Sequence, residues 1–299
     1  MKLRRVGSVH CTVGAGPVWD VLDQLLYFVD LPAAMLWRYD PVRETFSKWK
    51  MQSPIGCLAL REGGGAVVAL QDGFHRFSFH NNTTAPICNP QPDDRTQFND
   101  GKVDRCGRFI AGTRMRSLEN ASVEAGVLYS LDGDQKTTQL DEGFGLPNGP
   151  CWSPDGRTFY FVHSLQRKIF TYDYDLGTGA VSNRRIFADV RKFGGLPDGA
   201  TVDCEGRVWV AICGGAKVIC LSTEGEVVRE IDMPVEFPSS VMFGGPDLDK
   251  LYVTSIDGAA VGRHGAAMGR DVPRDAQAGG LFVVEGLGVR GLAEPRFAG

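Results

Sequence analysis

The chain has 299 residues and a net charge of −4 at neutral pH, with 43% hydrophobic residues, 38 glycines and 16 prolines. No basic stripe or run of Lys and Arg appears, which argues against nucleic acid as a partner. No stretch approaches the length of a membrane span. The basic start, Met1 to His10, leads into no apolar segment, which argues against a secretory signal. The eight cysteines form no Cys-x-x-Cys pair, so they read as reduced, largely buried thiols of a cytoplasmic protein.

Along the chain one phrase returns: a turn rich in Gly, Asp or Asn, then a short run of β-branched and aromatic residues. It appears at Asp23 to Asp30, Gly64 to Leu70, Cys106 to Gly112, Asp155 to Val162, Glu205 to Ala211 and Asp249 to Thr254. The spacing of roughly 40 to 50 residues is that of a propeller blade. Ahead of the phrases stand further short strands: Gly16 to Trp19, Gly101 to Asp104, Gly149 to Trp152 and Gly199 to Asp203. Behind them come strands with period-two alternation: Met35 to Asp40, Gly126 to Leu131, Lys168 to Asp173 and Lys217 to Leu221. A fourth, outer strand would complete each unit. Helical periodicity is nearly absent, and the longest loop is expected from Gly258 to Ala278. A strand near Leu3 to Val9 would pair with the last strands and close the ring, removing exposed edges. The expectation is an all-β protein, a six-bladed β-propeller formed as one domain by residues 1–299, with its site at one mouth of the central channel.

In such a ring the residues before each first strand and after each second strand meet at one mouth. The first set holds Arg95 to Gly101, Leu146-Pro147-Asn148-Gly149, Leu196-Pro197-Asp198-Gly199 and Val13 to Pro17; the second holds Thr113-Arg114-Met115 and His163-Ser164. Any single Asn-Gly or Asp-Gly is ordinary turn chemistry. Two copies in the same register one blade apart, with Asn99 in the matching place of a third, point instead to oxygen donors aimed at one axis. Such donors suit Ca²⁺, Mg²⁺ or Mn²⁺, and a carboxylate also serves Zn²⁺. Trp19, Trp152, Trp209 and Phe243 read as packing between blades rather than as a ligand platform.

These segments, with Gly16-Pro17-Val18-Trp19, Phe98-Asn99-Asp100-Gly101-Lys102, Phe243-Gly244-Gly245, Leu251 to Ser255 and Glu294-Pro295-Arg296-Phe297, resemble the regucalcin/gluconolactonase family over essentially the whole chain. The resemblance implies a divalent-metal lactonase acting on a sugar lactone. It implies metal ligands at Asn148 and Asp198, with Asp198 also catalytic, and substrate contacts from Arg95, Asn99 and Glu124. One departure stands out. The family's metal-binding Glu precedes Gly-Pro-Val-Trp, and here Ala15 occupies that place; a methyl group cannot ligate a metal. His163 is expected on the same face, where it would offer a nitrogen ligand, a base or a substrate contact. Three functions follow: a lactonase impaired at one ligand, a propeller that only binds a sugar acid or a protein, and a related metal-dependent esterase or phosphotriesterase. No Gly-x-Ser-x-Gly elbow or Gly-x-Gly-x-x-Gly loop supports a different enzyme class.

Overall fold

A computed structural model describes residues 1–91, 94–117, 124–258 and 275–299. Most of the loop expected from Gly258 to Ala278 lies outside the described residues. Among the described residues, twenty-four strands form six four-stranded antiparallel sheets. The inner strands of blades 1 to 6 are Gly14–Asp20, Ile55–Leu60, Thr96–Val103, Pro147–Trp152, Leu196–Val202 and Pro238–Gly244. Each packs against the next, and the sixth against the first, so the ring is closed. Each recurring phrase of the sequence is the second strand of a blade, such as Val208–Cys213 in blade 5. The N-terminal strand Lys2–Val6 pairs with Leu281–Glu285 and forms the outer edge of blade 6. One blade thus carries strands from both ends of the chain.

The second strands are continuously apolar because both faces are buried. In Val208–Cys213, Val208, Val210 and Ile212 face blade 4, while Trp209 and Ala211 face blade 6. Six apolar clusters fill the six wedges between neighbouring blades. The tryptophans expected to pack between blades do so: Trp19 stacks on Tyr252 at 5.6 Å, and Trp209 meets Phe243 edge-on at 5.7 Å. At the far end of the inner strands, Asp20, Asp104 and Asp203 accept backbone N–H groups of the following turn, the Asx geometry that makes Asp recur there.

The segment from Gly286 to Gly299 crosses the face on which those turns lie. Cys204 N donates to Arg290 O, Phe297 N to Leu60 O and Ala298 N to Gly107 O. Glu294 meets Arg105 at 3.2 Å, and Arg296 pairs with Asp20 at 2.6 Å. Asp20 is only 4% exposed, so removing its partner strands a charge in the interior. Arg296→Ala is expected to cost about 3 kcal/mol, read from the urea midpoint, whereas Arg290→Ala, at an exposed pair, should cost well under 1 kcal/mol. No described helix is long and apolar enough to cross a membrane.

Candidate functional site at the open mouth

All six inner strands break register at the same level: at Ala15/Val18, Ile55/Cys57, Phe98/Gly101, Asn148/Cys151, Pro197/Ala200 and Pro238/Ser240. A β-bulge leaves a residue unpaired and re-aims its side chain. Gly56, Asn99, Asp198 and Ser239 fall within these breaks, while Ala15 and Asn148 are the last paired residues before theirs, opposite Val29 and Val162. The candidate residues therefore lie inside the inner strands rather than in loops ahead of them. The Gly after Asn148 is not turn chemistry either. Gly149 has φ +55°, and a Cβ there would sit 2.8 Å from Ala200 Cβ of the next blade. Gly is needed because two blades touch at the bulge.

The bulges open into a cavity of about 380 Å³, within the usual range for small-molecule sites. Ala15, Asn99, Asn148, Asp198 and Ser239 line it from the inner strands. Leu31, Arg114, Ser164, Cys213 and Ile256 line it from the returning ends of second strands. Both sets expected at one mouth thus converge. Arg116 and Gln97 complete the polar lining, and much of the remaining wall is apolar, including Val13, Leu146 and Leu196.

The amides form a fixed relay. Arg114 Nε donates to Asn99 Oδ1 (2.8 Å), Asn99 Nδ2 donates to Asn148 Oδ1 (2.8 Å) and to Pro147 O (2.8 Å), and Asn148 Nδ2 donates to Ser164 Oγ (2.8 Å). Their rotamers are locked across blades 3 and 4 by the protein itself. Asp198 differs: no hydrogen bond or ion pair from another side chain reaches its carboxylate among the described residues. Burial and then the nearby Asp100 carboxylate raise its pKa well above the ordinary value, and only the Gly199 amide opposes them. Asp100 lies deeper and is raised by burial too; its Oδ2 accepts from Gly149 N and its Oδ1 from Gly101 N. The Cys213 thiol is pushed up by burial, then by Asp198 and Glu236.

Three expected residues are placed outside this lining. Arg95 is exposed on the turn before the inner strand of blade 3, its carbonyl accepting from Arg116 N. His163 is fully buried behind Ser164; its Nδ1 caps the short turn Ser164–Gln166, accepting from Gln166 N at 3.4 Å, and its Nε2 lies 3.6 Å from Glu124. Glu124 is exposed and accepts from Gln166 Nε2 at 3.0 Å. Burial holds the pKa of His163 below 6.5 despite Glu124. The unfolded chain then binds this proton more readily, so stability is present above pH 6.5 and lost as pH falls through the lower native value. His163→Gln should flatten that acid-side decline, measured as urea midpoints from pH 7.5 to 5.

The donors themselves decide whether a divalent cation fits. Asp198 is a desolvated carboxylate with no cationic partner, and Asn148 Oδ1 keeps one lone pair after accepting from Asn99. Both are hard oxygen donors. Ala15 supplies nothing, and no group of three His, Cys, Asp or Glu converges among the described residues. The set fits a hard divalent cation bound weakly, with one protein charge facing it.

The family model for the SMP-30/Gluconolactonase/LRE-like region matches residues 13–257. Regucalcin of Xenopus laevis is 36% identical over 100% of this chain and 99% of its own length. The structure of a luciferin-regenerating enzyme superposes with TM-score 0.90 and 30% identity, covering 99% of both chains. That of regucalcin from Agrobacterium tumefaciens, described as a calcium-binding protein, gives TM-score 0.88 at 24% identity, covering 99% of this chain and 97% of that one. With the match over residues 13–257, the 36% identity over the whole chain and the shared fold in agreement, the chain belongs to the SMP-30/gluconolactonase/LRE-like family.

Proposed function

We propose that the open mouth hydrolyses a lactone, with Asp198 taking the proton from the attacking water. The observation that carries this reading is Asp198 itself: the one carboxylate lining the cavity among the described residues, with no side-chain partner there. A carboxylate whose basicity is raised by burial is a stronger proton acceptor when ionised, which suits general-base work near neutral pH. The proton leaves water as its oxygen adds to the ring carbonyl. The ring C–O bond then breaks, and the leaving alkoxide takes a proton to give the hydroxy acid. Asn99 and Asn148, locked by their relay, hold the ring in one orientation at little entropic cost on binding. Asp198 and Asn148 would hold a divalent cation. Such an ion, when bound, polarises the carbonyl and offsets negative charge that develops on its oxygen. Ala15 leaves the affinity low, in the range of about 10⁻⁴ to 10⁻³ M.

The apolar wall of Leu31, Leu146, Leu196 and Ile256 favours a second reading, a less polar ester as substrate. The test is proton release at constant pH over sugar lactones and aryl esters, with chelator and with added Ca²⁺, Mg²⁺, Mn²⁺ or Zn²⁺. Lactone opening above the spontaneous rate, raised by millimolar cation, is expected. Preference for aryl esters would favour the second reading. No turnover of any lactone under any cation would overturn the proposal and leave a binding propeller.

A further inference from the structure

The cavity carries two cationic side chains whose charge the relay leaves unbalanced. Arg114 reaches it from the second strand of blade 3, and Arg116 follows two residues later on the same side of the chain. Neither forms an ion pair among the described residues, and Asp198, the single acidic side chain of the lining, pairs with neither. Arg114 is held by one side-chain amide and one backbone carbonyl: Nε donates to Asn99 Oδ1, and Nη1 to Met115 O at 2.7 Å. Its Nη2 donates to nothing among the described residues, yet is not sealed from the cavity. Arg116 is anchored through Nε on Thr96 O at 2.9 Å. Burial pushes Arg114 down to about 10 with no acidic side chain close enough to oppose it; it is still charged at neutral pH. Two guanidinium groups fixed by carbonyl and amide oxygens, with donors left over, form an anion-recognition element.

Ala15 acts in the same direction. A carboxylate at that position would add negative charge to the cavity, whereas a methyl group leaves Arg114 and Arg116 to set its sign. Asp198 is one acidic side chain against these two cations among the described lining residues.

We propose that Arg114 and Arg116 select an anionic substrate: a lactone bearing a free carboxylate, the cyclic ester of a dicarboxylic sugar acid, held by that carboxylate while its ring carbonyl faces Asp198. This rests on the lactone-hydrolase reading for its chemistry, but not for its charge preference. The carboxylate supplies the acceptors that Arg114 Nη2 lacks, and a charge-assisted pair of this kind is worth about tenfold to hundredfold in affinity.

The test compares D-glucaro-1,4-lactone with D-glucono-1,4-lactone. Ring and hydroxyl configuration are shared, and a terminal carboxylate replaces a hydroxymethyl group. The wild type should favour the carboxylated lactone in kcat/KM by tenfold or more. Arg114→Gln with Arg116→Gln should bring the ratio close to one, and Arg114→Lys should keep part of the preference, which separates charge from folding. In parallel, calorimetry with the ring-opened acids needs no turnover. Glucarate should bind at least tenfold tighter than gluconate, and the difference should shrink with added salt. If neither lactone is hydrolysed but this binding preference holds and depends on the arginines, the hydrolase reading falls and the anion site stands. Equal binding of the two acids, or a preference that survives loss of both arginines, would overturn it.

Discussion

Asp198→Asn is expected to lower kcat for lactone opening by about 10²- to 10⁴-fold, the usual worth of a positioned base, with KM changed much less. The amide is nearly isosteric and keeps an acceptor for the Gly199 amide, so the cavity keeps its shape. Stability should move the other way. The native carboxylate resists ionisation because of burial and Asp100, so the folded state binds this proton more readily than the unfolded chain. Wild-type stability contributed by this group therefore falls as pH rises from the ordinary Asp range through the raised native value. The Asn variant lacks that loss. Its Tm in chelator should equal or exceed that of wild type at pH 8, with the gap closing towards pH 4. Lost activity with retained or raised Tm marks a functional group kept at a cost in stability. A fall in Tm with little change in kcat would place Asp198 in the scaffold instead.

Ala15→Glu should have the second largest effect. It adds a second carboxylate opposite Asp198 and Asn148 at the mouth. Charge count is the main lever on divalent-cation affinity at oxygen sites, and one added carboxylate is expected to tighten binding by about 10²-fold. In chelator the variant should melt below wild type, because the introduced carboxylate joins Asp198 in the cavity, with Asp100 beneath it, where both already resist ionisation. Added Ca²⁺ or Mn²⁺ should reverse the order, since binding at about 100 times Kd contributes about 2.7 kcal/mol. The same substitution should weaken glucarate binding in chelator, through repulsion at the site that Arg114 and Arg116 make positive. Calorimetric titration with Ca²⁺ is the check. Equal affinity in both proteins would mean that residue 15 does not face the cation.

The ring, its six blades and its closure by Lys2–Val6 were legible because the phrase repeats and because blade strands are apolar on both faces. Asn99, Asn148 and Asp198 were legible as a set because Asn148 and Asp198 recur after Leu-Pro in the same register. Ser239 follows Pro238 at the equivalent place in blade 6, a signal the same rule could have caught. Gln97 could have been found from strand period, two residues before Asn99 on the same face. The bulges were not legible, since only pairing across strands reveals them, and so the candidates were expected ahead of the strands that contain them. Arg95 and Arg114 could not be ranked from sequence. Both were expected at the mouth, but only the fold shows that the chain before Thr96 turns outward while Arg114, at the end of the second strand, reaches Asn99. His163 sits beside Ser164 in sequence, yet the strand end turns it into the wall to cap the next turn, while Ser164 lines the cavity.

The measurement that tests the account most directly is a crystal structure of Asp198→Asn with D-glucaro-1,4-lactone, where slowed turnover keeps the ring closed. The account predicts the lactone in the open mouth, its carboxylate on Arg114 and Arg116 and its ring carbonyl beside residue 198. Lactone bound elsewhere on the propeller, with this cavity empty, would contradict it.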